Sequence, residues 1–249
     1  MGLKAHPVPG KQKSIALCAA FIDGARASMP PDEWAMLRGN VFYGVKAGNT
    51  EAWQRALNQA QGHGVPFYVI DNSYFDPTRG TYFRVTRNGL QHTGIGDTDG
   101  TRFNAVGLPI TPWRDWDLGG HVLVVEQSED HMLRMVGEPR WLRINIERFR
   151  SAGFTAFRVR KWSPDKPETQ KTLAEDLVGA KIVLTHTSAA AIMAVLAGVP
   201  ACCSPKCAAF GTTNFPEENR RRWAGVLADN QFTMDELKDG TAWRKVISR

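Results

Sequence analysis

Apolar residues in this chain gather into short runs, and helical spacing appears between them. Ser14–Ala20 (SIALCAA) is a continuous apolar run of strand length. It predicts a first buried strand, followed by Phe21–Arg26 as a Gly-containing loop. Val41–Val45 predicts a second strand. Trp53, Ala56, Leu57 and Ala60 recur at helical spacing, so a helix is expected over Glu51–Gln61, capped by Thr50 and stopped by Gly62 and Gly64. Pro66–Ile70 (PFYVI) predicts a third strand, ending at Asp71-Asn72. Between Asp71 and Gly120 the pattern fades into Gly, Asp, Thr, Pro and Trp, and only Thr81–Arg87 is β-rich. A stretch of this kind belongs to functional loops more often than to a core.

The second half returns to alternation. His121–Glu126, Ala156–Arg160, Lys181–Thr185 and Ala201–Cys203 read as strands. Trp141–Ser151, Glu168–Leu177 and Ser188–Ala197 read as the helices between them. Strands alternating with helices predict parallel sheets covered on both faces. The expected fold class is therefore α/β, with two Rossmann-like lobes and a cleft between them. The expected division is a first lobe over 1–118, a second over 119–225 and a C-terminal segment over 226–249 that crosses back to the first lobe.

Composition adds bounds. The 249 residues are 43% hydrophobic and 22% charged, an ordinary globular balance. The net charge is +6 and divides as +2 over residues 1–118 and +4 over 119–249, so neither half is a polybasic tail. This permits a polyanionic partner without requiring one. The longest apolar stretch, Ala189–Val199, falls short of a bilayer span. The polar, Pro-containing N-terminus lacks a signal-peptide core, so a cytoplasmic location is expected, in a host cytoplasm if the chain is phage-encoded. Of the four cysteines, three crowd between Cys202 and Cys207 without a CxxC pair. Reduced thiols are expected rather than a disulfide framework or a zinc site, and no metal ligands are assigned.

The segment Lys181–Pro205 carries the most chemistry. An apolar strand leads into Thr185-His186-Thr187-Ser188 and then a helix of small residues. Ser188 can cap that helix, and the N–H groups behind it, with the helix dipole, make a phosphate site. In open α/β sheets such strand-to-helix corners bind ligands. The competing reading is an ordinary capped helix packed on a sheet.

This run resembles the C-terminal lobe of GT-B-type glycosyltransferases. Thr187-Ser188-Ala189 and Ala197-Gly198-Val199-Pro200 stand where that pattern places its Thr/Ser stretch and its "aGvP" turn. His121–Gln127 (HVLVVEQ) resembles the strand ending in Gln that opens the lobe. Phe157–Lys161 resembles the "iRxHP" strand of capsule-polysaccharide and sialyl-type transferases, although Lys161-Trp162-Ser163-Pro164 replaces the His-Pro. A donor-phosphate role for that histidine is therefore not carried over, and Arg160 or Lys161 is left to supply the charge. The tail, from Asn219–Trp223 through Gly240–Trp243, resembles those of phage-encoded and bacterial glycosyltransferase-like proteins. The resemblance covers residues 121–249; before that it rests on layout and on Asp71–Phe75.

The resemblance implies a nucleotide-sugar donor as co-substrate, no other cofactor and no metal. Gln127, Arg160, Lys161, His186, Thr187, Ser188 and Ala189 are the implied donor-binding residues. The helix N-terminus would stabilise the leaving phosphate, and Asp71, His92 or Asp97 would deprotonate the acceptor hydroxyl. One expected acceptor is a hydroxymethylated pyrimidine in phage DNA. The Trp113–Trp116 loop would fill the gap left by a flipped base, and Arg220, Arg221 and Arg222 would meet phosphates. The ordinary reading of Arg220–Arg222 is a solvated helix face. The alternatives are a cell-surface saccharide acceptor, or a nucleotide-sugar epimerase or nucleotide-binding protein of the same architecture.

Overall fold

The structure is a computed structural model that describes residues 2–44, 51–75, 80–94, 96–115, 120–161 and 171–248. The chain is α/β and divides into two compact units. One is Met1–His92 with Leu227–Arg249; the other is Thr93–Val226. Residues 93–118, read from the sequence as part of the first lobe, group with the second unit, and the C-terminal segment groups with the first.

The first unit is built on a five-stranded sheet ordered β1-β2-β3-β4-β9. Its strands are β1 (Gly2–His6), β2 (Arg38–Tyr43), β3 (Phe67–Asn72), β4 (Phe83–Arg87) and β9 (Gln231–Phe232). β1, β2 and β3 run parallel, whereas β4 is antiparallel to both β3 and β9. The sheet is therefore mixed rather than wholly parallel. The β3–β4 connection is too short for a crossover helix, so the chain turns back on itself.

Ser14–Ala20 is not a strand. It lies in helix α1 (Gln12–Ala27), as does the expected loop Phe21–Arg26. Its buried positions are Ser14, Leu17, Cys18, Ala20, Phe21, Gly24 and Ala25, and the 3–4-residue recurrence through Ser14, Leu17, Phe21 and Gly24 marks a helix face. That face joins one core with Val41, Tyr43, Tyr68, Ile70, Phe83 and Val85 of the sheet. Leu237 of α10 (Met234–Lys238) and Trp243 of α11 (Thr241–Ile247) complete it. α1 and α10 meet at Gly24, where an added Cβ would strike the Leu237 carbonyl. A short helix α2 (Pro31–Met36) precedes β2. α3 (Glu51–Gly62) packs against β2 and β3, burying Leu57 and Ala60. Its expected cap, Thr50, lies outside the described residues.

The second unit holds an all-parallel sheet ordered β6-β5-β7-β8. Its strands are β5 (His121–Val125), β6 (Phe157–Arg160), β7 (Ala180–Thr185) and β8 (Ala201–Cys202). Side chains alternate as the pleat requires. Leu123, Val125 and Val183 pack with α7 (Leu173–Leu177) and α8 (Ala189–Leu196). Val122, Val124, Ile182 and Leu184 pack on the other face with α5 (Glu129–Val136) and α6 (Trp141–Ser151). α4 (Thr101–Val106) and α9 (Glu217–Asp229) complete the helices, and α9 runs through the division between the units. The expected junction at Leu118-Gly119 and the expected start of α7 at Glu168 lie outside the described residues. No helix among the described residues is long and apolar enough to cross a membrane.

Candidate functional site

Strand order locates the site. In the first unit β1, β2 and β3 follow one another in one direction, so the parallel part has no reversal. In the second, the chain leaves β5 for β6 on one side and returns to β7 on the other. The carboxyl ends of β5 and β7 therefore flank a topological switch point, where open α/β sheets hold ligands.

The side chains there form one network. Gln127, two residues past β5, accepts the Thr187 N–H at 2.7 Å and donates to Thr187 Oγ1 at 3.3 Å. Thr185 Oγ1 donates to the Val125 carbonyl at 3.0 Å, which ties the ends of the two strands together. His131 Nε2 lies 3.0 Å and His186 Nδ1 3.3 Å from Thr187 Oγ1. This one hydroxyl therefore meets an amide and two imidazoles. It has a single hydrogen and two lone pairs. With Gln127 donating, one imidazole donates to it and the other accepts, so the two rings hold complementary proton positions.

His186 is fully buried, its ring set edge-on to Trp141 at 5.4 Å and to His131 at 6.5 Å between centroids. Its Nε2 has no hydrogen-bond partner. Burial, with a smaller contribution from the neighbouring His131, pushes its pKa down to about 4, so the ring is neutral at pH 7. His186 thus braces the corner from inside rather than offering charge to a ligand.

Ser188 caps α8, its Oγ accepting the Ala190 N–H at 3.2 Å. Ser188, Ala189 and Gln127 are half-buried and form the accessible lip, with no acidic residue in the first turn of α8. The α5 N-terminus on the other side of the switch point is capped by Ser128 but carries Glu129 and Asp130. An anion therefore fits the α8 end and is repelled from the α5 end.

Behind the lip, the Ala197–Pro200 turn is fixed by the preceding loop. Thr111 N–H donates to the Leu196 carbonyl at 2.8 Å, and Arg114 N–H to the Gly198 carbonyl at 2.9 Å. Gly198 has φ +73°, and a Cβ there would strike the Pro112 carbonyl.

The other donor-side residues are placed differently. Arg160 ends β6 and is held by the Asp176 carboxylate and, at 2.7 Å, the Lys171 carbonyl. Its charge is already matched. Lys161 is exposed, with Glu126 at 3.8 Å. The structure therefore joins Gln127, His186, Thr187, Ser188 and Ala189 into one site and leaves Arg160 in an ion pair of its own.

The three arginines of α9 do not form a basic surface. Arg220 is 1% exposed and donates to the Thr111 carbonyl at 2.7 Å and the Val195 carbonyl at 3.1 Å. Its guanidinium sits 4.1 Å from the centroid of Trp113, whose Nε1 donates to the Phe215 carbonyl. The expectation that Arg220 and Trp113 contact nucleic acid is corrected: Arg220 is buried on the Thr111 and Val195 carbonyls, and the half-buried Trp113 is held by the guanidinium and the Phe215 carbonyl. Arg221 lies 3.9 Å from Glu217. Arg222 pairs with Asp97 at 2.7 Å and donates to the Gly96 carbonyl. Asp97, expected as a base, is thus the counter-ion of an arginine expected to bind phosphate. Trp116 lies outside the described residues.

In the first unit, Asp71 ends β3 and pairs with Arg84 at 2.7 Å. Arg84 lies over the Tyr74 ring at 5.0 Å, and Tyr74 OH is 3.1 Å from His92 Nδ1. Asp71 and His92 therefore stand at opposite ends of an Arg84–Tyr74 connection rather than side by side. Gln231 of β9 fixes that connection by accepting the Tyr74 and Phe75 N–H groups.

Sequence reasoning missed His131 and Trp141. The signal for His131 was Ser128 followed by two acids, a helix start whose fourth residue faces the corner. All four cysteines are free. Among the described residues no group of three His, Cys, Asp or Glu is placed to hold a metal ion.

No protein-family model matches the chain, and no curated protein does. Two solved structures from Thermosulfurimonas dismutans are similar to it. KpsC, beta Kdo 2,7 transferase, is 12% identical with a TM-score of 0.48, covering 98% of this chain and 99% of that one. KpsC, beta Kdo 2,4 transferase, is 11% identical with a TM-score of 0.46, covering 76% and 78%. Likeness at this level carries no residue-by-residue correspondence.

Proposed function

We propose that this chain is a glycosyltransferase that takes a nucleotide sugar as donor and holds the donor's phosphates at the β7–α8 corner. The observation that carries this reading is the coincidence of three features at one place. The corner flanks the switch point of the parallel sheet, it opens on a helix N-terminus free of acidic residues, and Gln127 and His131 hold Thr187 rigidly beneath it. The leaving phosphate gains charge as the glycosidic bond breaks. A helix terminus fixed in advance stabilises that charge without reorganising. Lys161, exposed at the end of β6, is the cation assigned to follow the leaving group. Asp71, oriented by Arg84 at the carboxyl end of β3, is assigned as the base for the acceptor hydroxyl. The acceptor is a hydroxyl compound; DNA is not favoured, since Arg220 is buried and Arg221 and Arg222 lie beside Glu217 and Asp97.

The test is thermal unfolding with UDP, GDP, CMP and their sugars, on the wild type and Ser188→Asp. Aspartate is as good a cap as serine, so α8 stays capped while a negative charge enters the lip. One nucleotide series is expected to raise Tm in the wild type and to lose that effect in the variant. Absence of any shift, or an equal shift in Ser188→Asp, overturns the assignment.

A further inference from the structure

The first unit contains a cavity of about 270 Å³ lined by Arg87, Asn88, His92, Asn230 and Val246. It lies at the amino-terminal end of the parallel strands, because Arg87 pairs with Tyr68 and the Asn88 N–H reaches the Phe67 carbonyl. Asp71 stands at the carboxyl end of the same strand β3. The cavity is thus at the other end of the sheet from the proposed base and uses none of the donor-site residues.

Its lining sets one apolar residue, Val246, among four polar ones. Arg87 brings a full positive charge and Asn88 and Asn230 bring amides. His92 is oriented by Tyr74, whose hydroxyl accepts the His92 N–H at 2.7 Å and meets Nδ1 at 3.1 Å. Among the described residues no carboxylate lines the cavity. The nearest in sequence, Asp229, is buried and faces Lys245 at 3.5 Å. A concave, donor-rich site with an arginine at its rim selects an oxyanion. Its volume falls just below the range of about 300–1,000 Å³ typical of small-molecule pockets, which excludes a whole nucleotide sugar.

We propose that this cavity binds a small oxyanion, a phosphate or carboxylate group on a molecule no larger than a simple sugar. Asn88 supports the wall. It holds φ +55°, and its side chain accepts the Phe67 N–H at 3.0 Å, so the turn carrying Arg87 is fixed before a ligand arrives.

The experiment titrates the full chain with inorganic phosphate and, separately, with acetate, at low ionic strength, following Tm and intrinsic fluorescence. Arg87→Gln removes the charge and keeps an amide donor for the Ile247 carbonyl that Arg87 contacts at 3.3 Å. Saturable binding of at least one anion is expected in the wild type. It should weaken at least tenfold in Arg87→Gln and remain unchanged in Ser188→Asp. Which anion binds more tightly separates a phosphate from a carboxylate ligand. The proposal is overturned if neither anion saturates, if Arg87→Gln titrates like the wild type, or if Ser188→Asp abolishes binding. The last result would place the anion at the α8 corner instead. Failure of nucleotides to bind while Arg87-dependent anion binding persists would count against the donor site alone.

Discussion

Acidification probes the corner from inside, through His186. The unfolded chain has an ordinary imidazole near 6.5, while burial in the folded corner lowers His186 to about 4. Between these values the unfolded chain binds the proton and the folded one does not, so stability falls as pH falls. The contribution is intact above about pH 6.5, declines through the window and is fully lost below about pH 4. At pH 4.5 the difference is about 2.5 kcal/mol, a sizeable share of a typical folding stability. His121 and His6 are also lowered by burial and add to the slope, so a single titration does not isolate the residue. His186→Phe keeps a ring against Trp141, removes the unpaired Nε2 and cannot titrate. Urea unfolding of both proteins at pH 7.5 and 4.5 gives the difference of differences. The wild type should lose about 2 kcal/mol more than the variant. Equal losses would mean that His186 is hydrated in the native state and that the sealed corner is wrong.

Two further substitutions test the frame. Gly198→Ala places a side chain at φ +73° against the Pro112 carbonyl, and should cost at least about 2 kcal/mol, read as a fall in Tm of several degrees. An unchanged Tm would show that the Thr111–Arg114 loop does not clamp the turn. Arg220→Met removes the donor to the Thr111 carbonyl and one of two donors to the Val195 carbonyl, and leaves Trp113 without its cation. It should destabilise the fold by about 2–4 kcal/mol in urea unfolding without changing retention on heparin. Normal stability with reduced retention would restore the nucleic-acid reading.

The second unit was legible because its two central strands are buried on both faces. His121–Val125 and Ala180–Thr185 are near-continuous apolar runs, and only helices fit between them. The first unit was harder. Its opening strand, Gly2–His6, is a sheet edge with exposed Lys4, so it lacks the apolar density that marks a core strand. The densest run nearby, Ser14–Ala20, is the buried stripe of a helix. Its period emerges only when Phe21, Gly24 and Ala25 are read with Leu17 and Cys18. A seven-residue window of small apolar residues satisfies both periods, and length alone decides between them.

The same limit explains the site. Ser188 and the residues before it were legible because a cap, a strand end and a glycine turn are local signals. Arginine is not a local signal: Arg220, Arg221 and Arg222 are adjacent in sequence, yet one is buried, one lies by Glu217 and one pairs with Asp97. The partners of Arg220 and Arg222 lie on the 96–111 segment and on α8, up to 126 positions away. A run of like charge on a helix turns through about 100° per residue, so three in a row cannot face one partner. Spacing, more than count, distinguishes a basic face from three separate anchors.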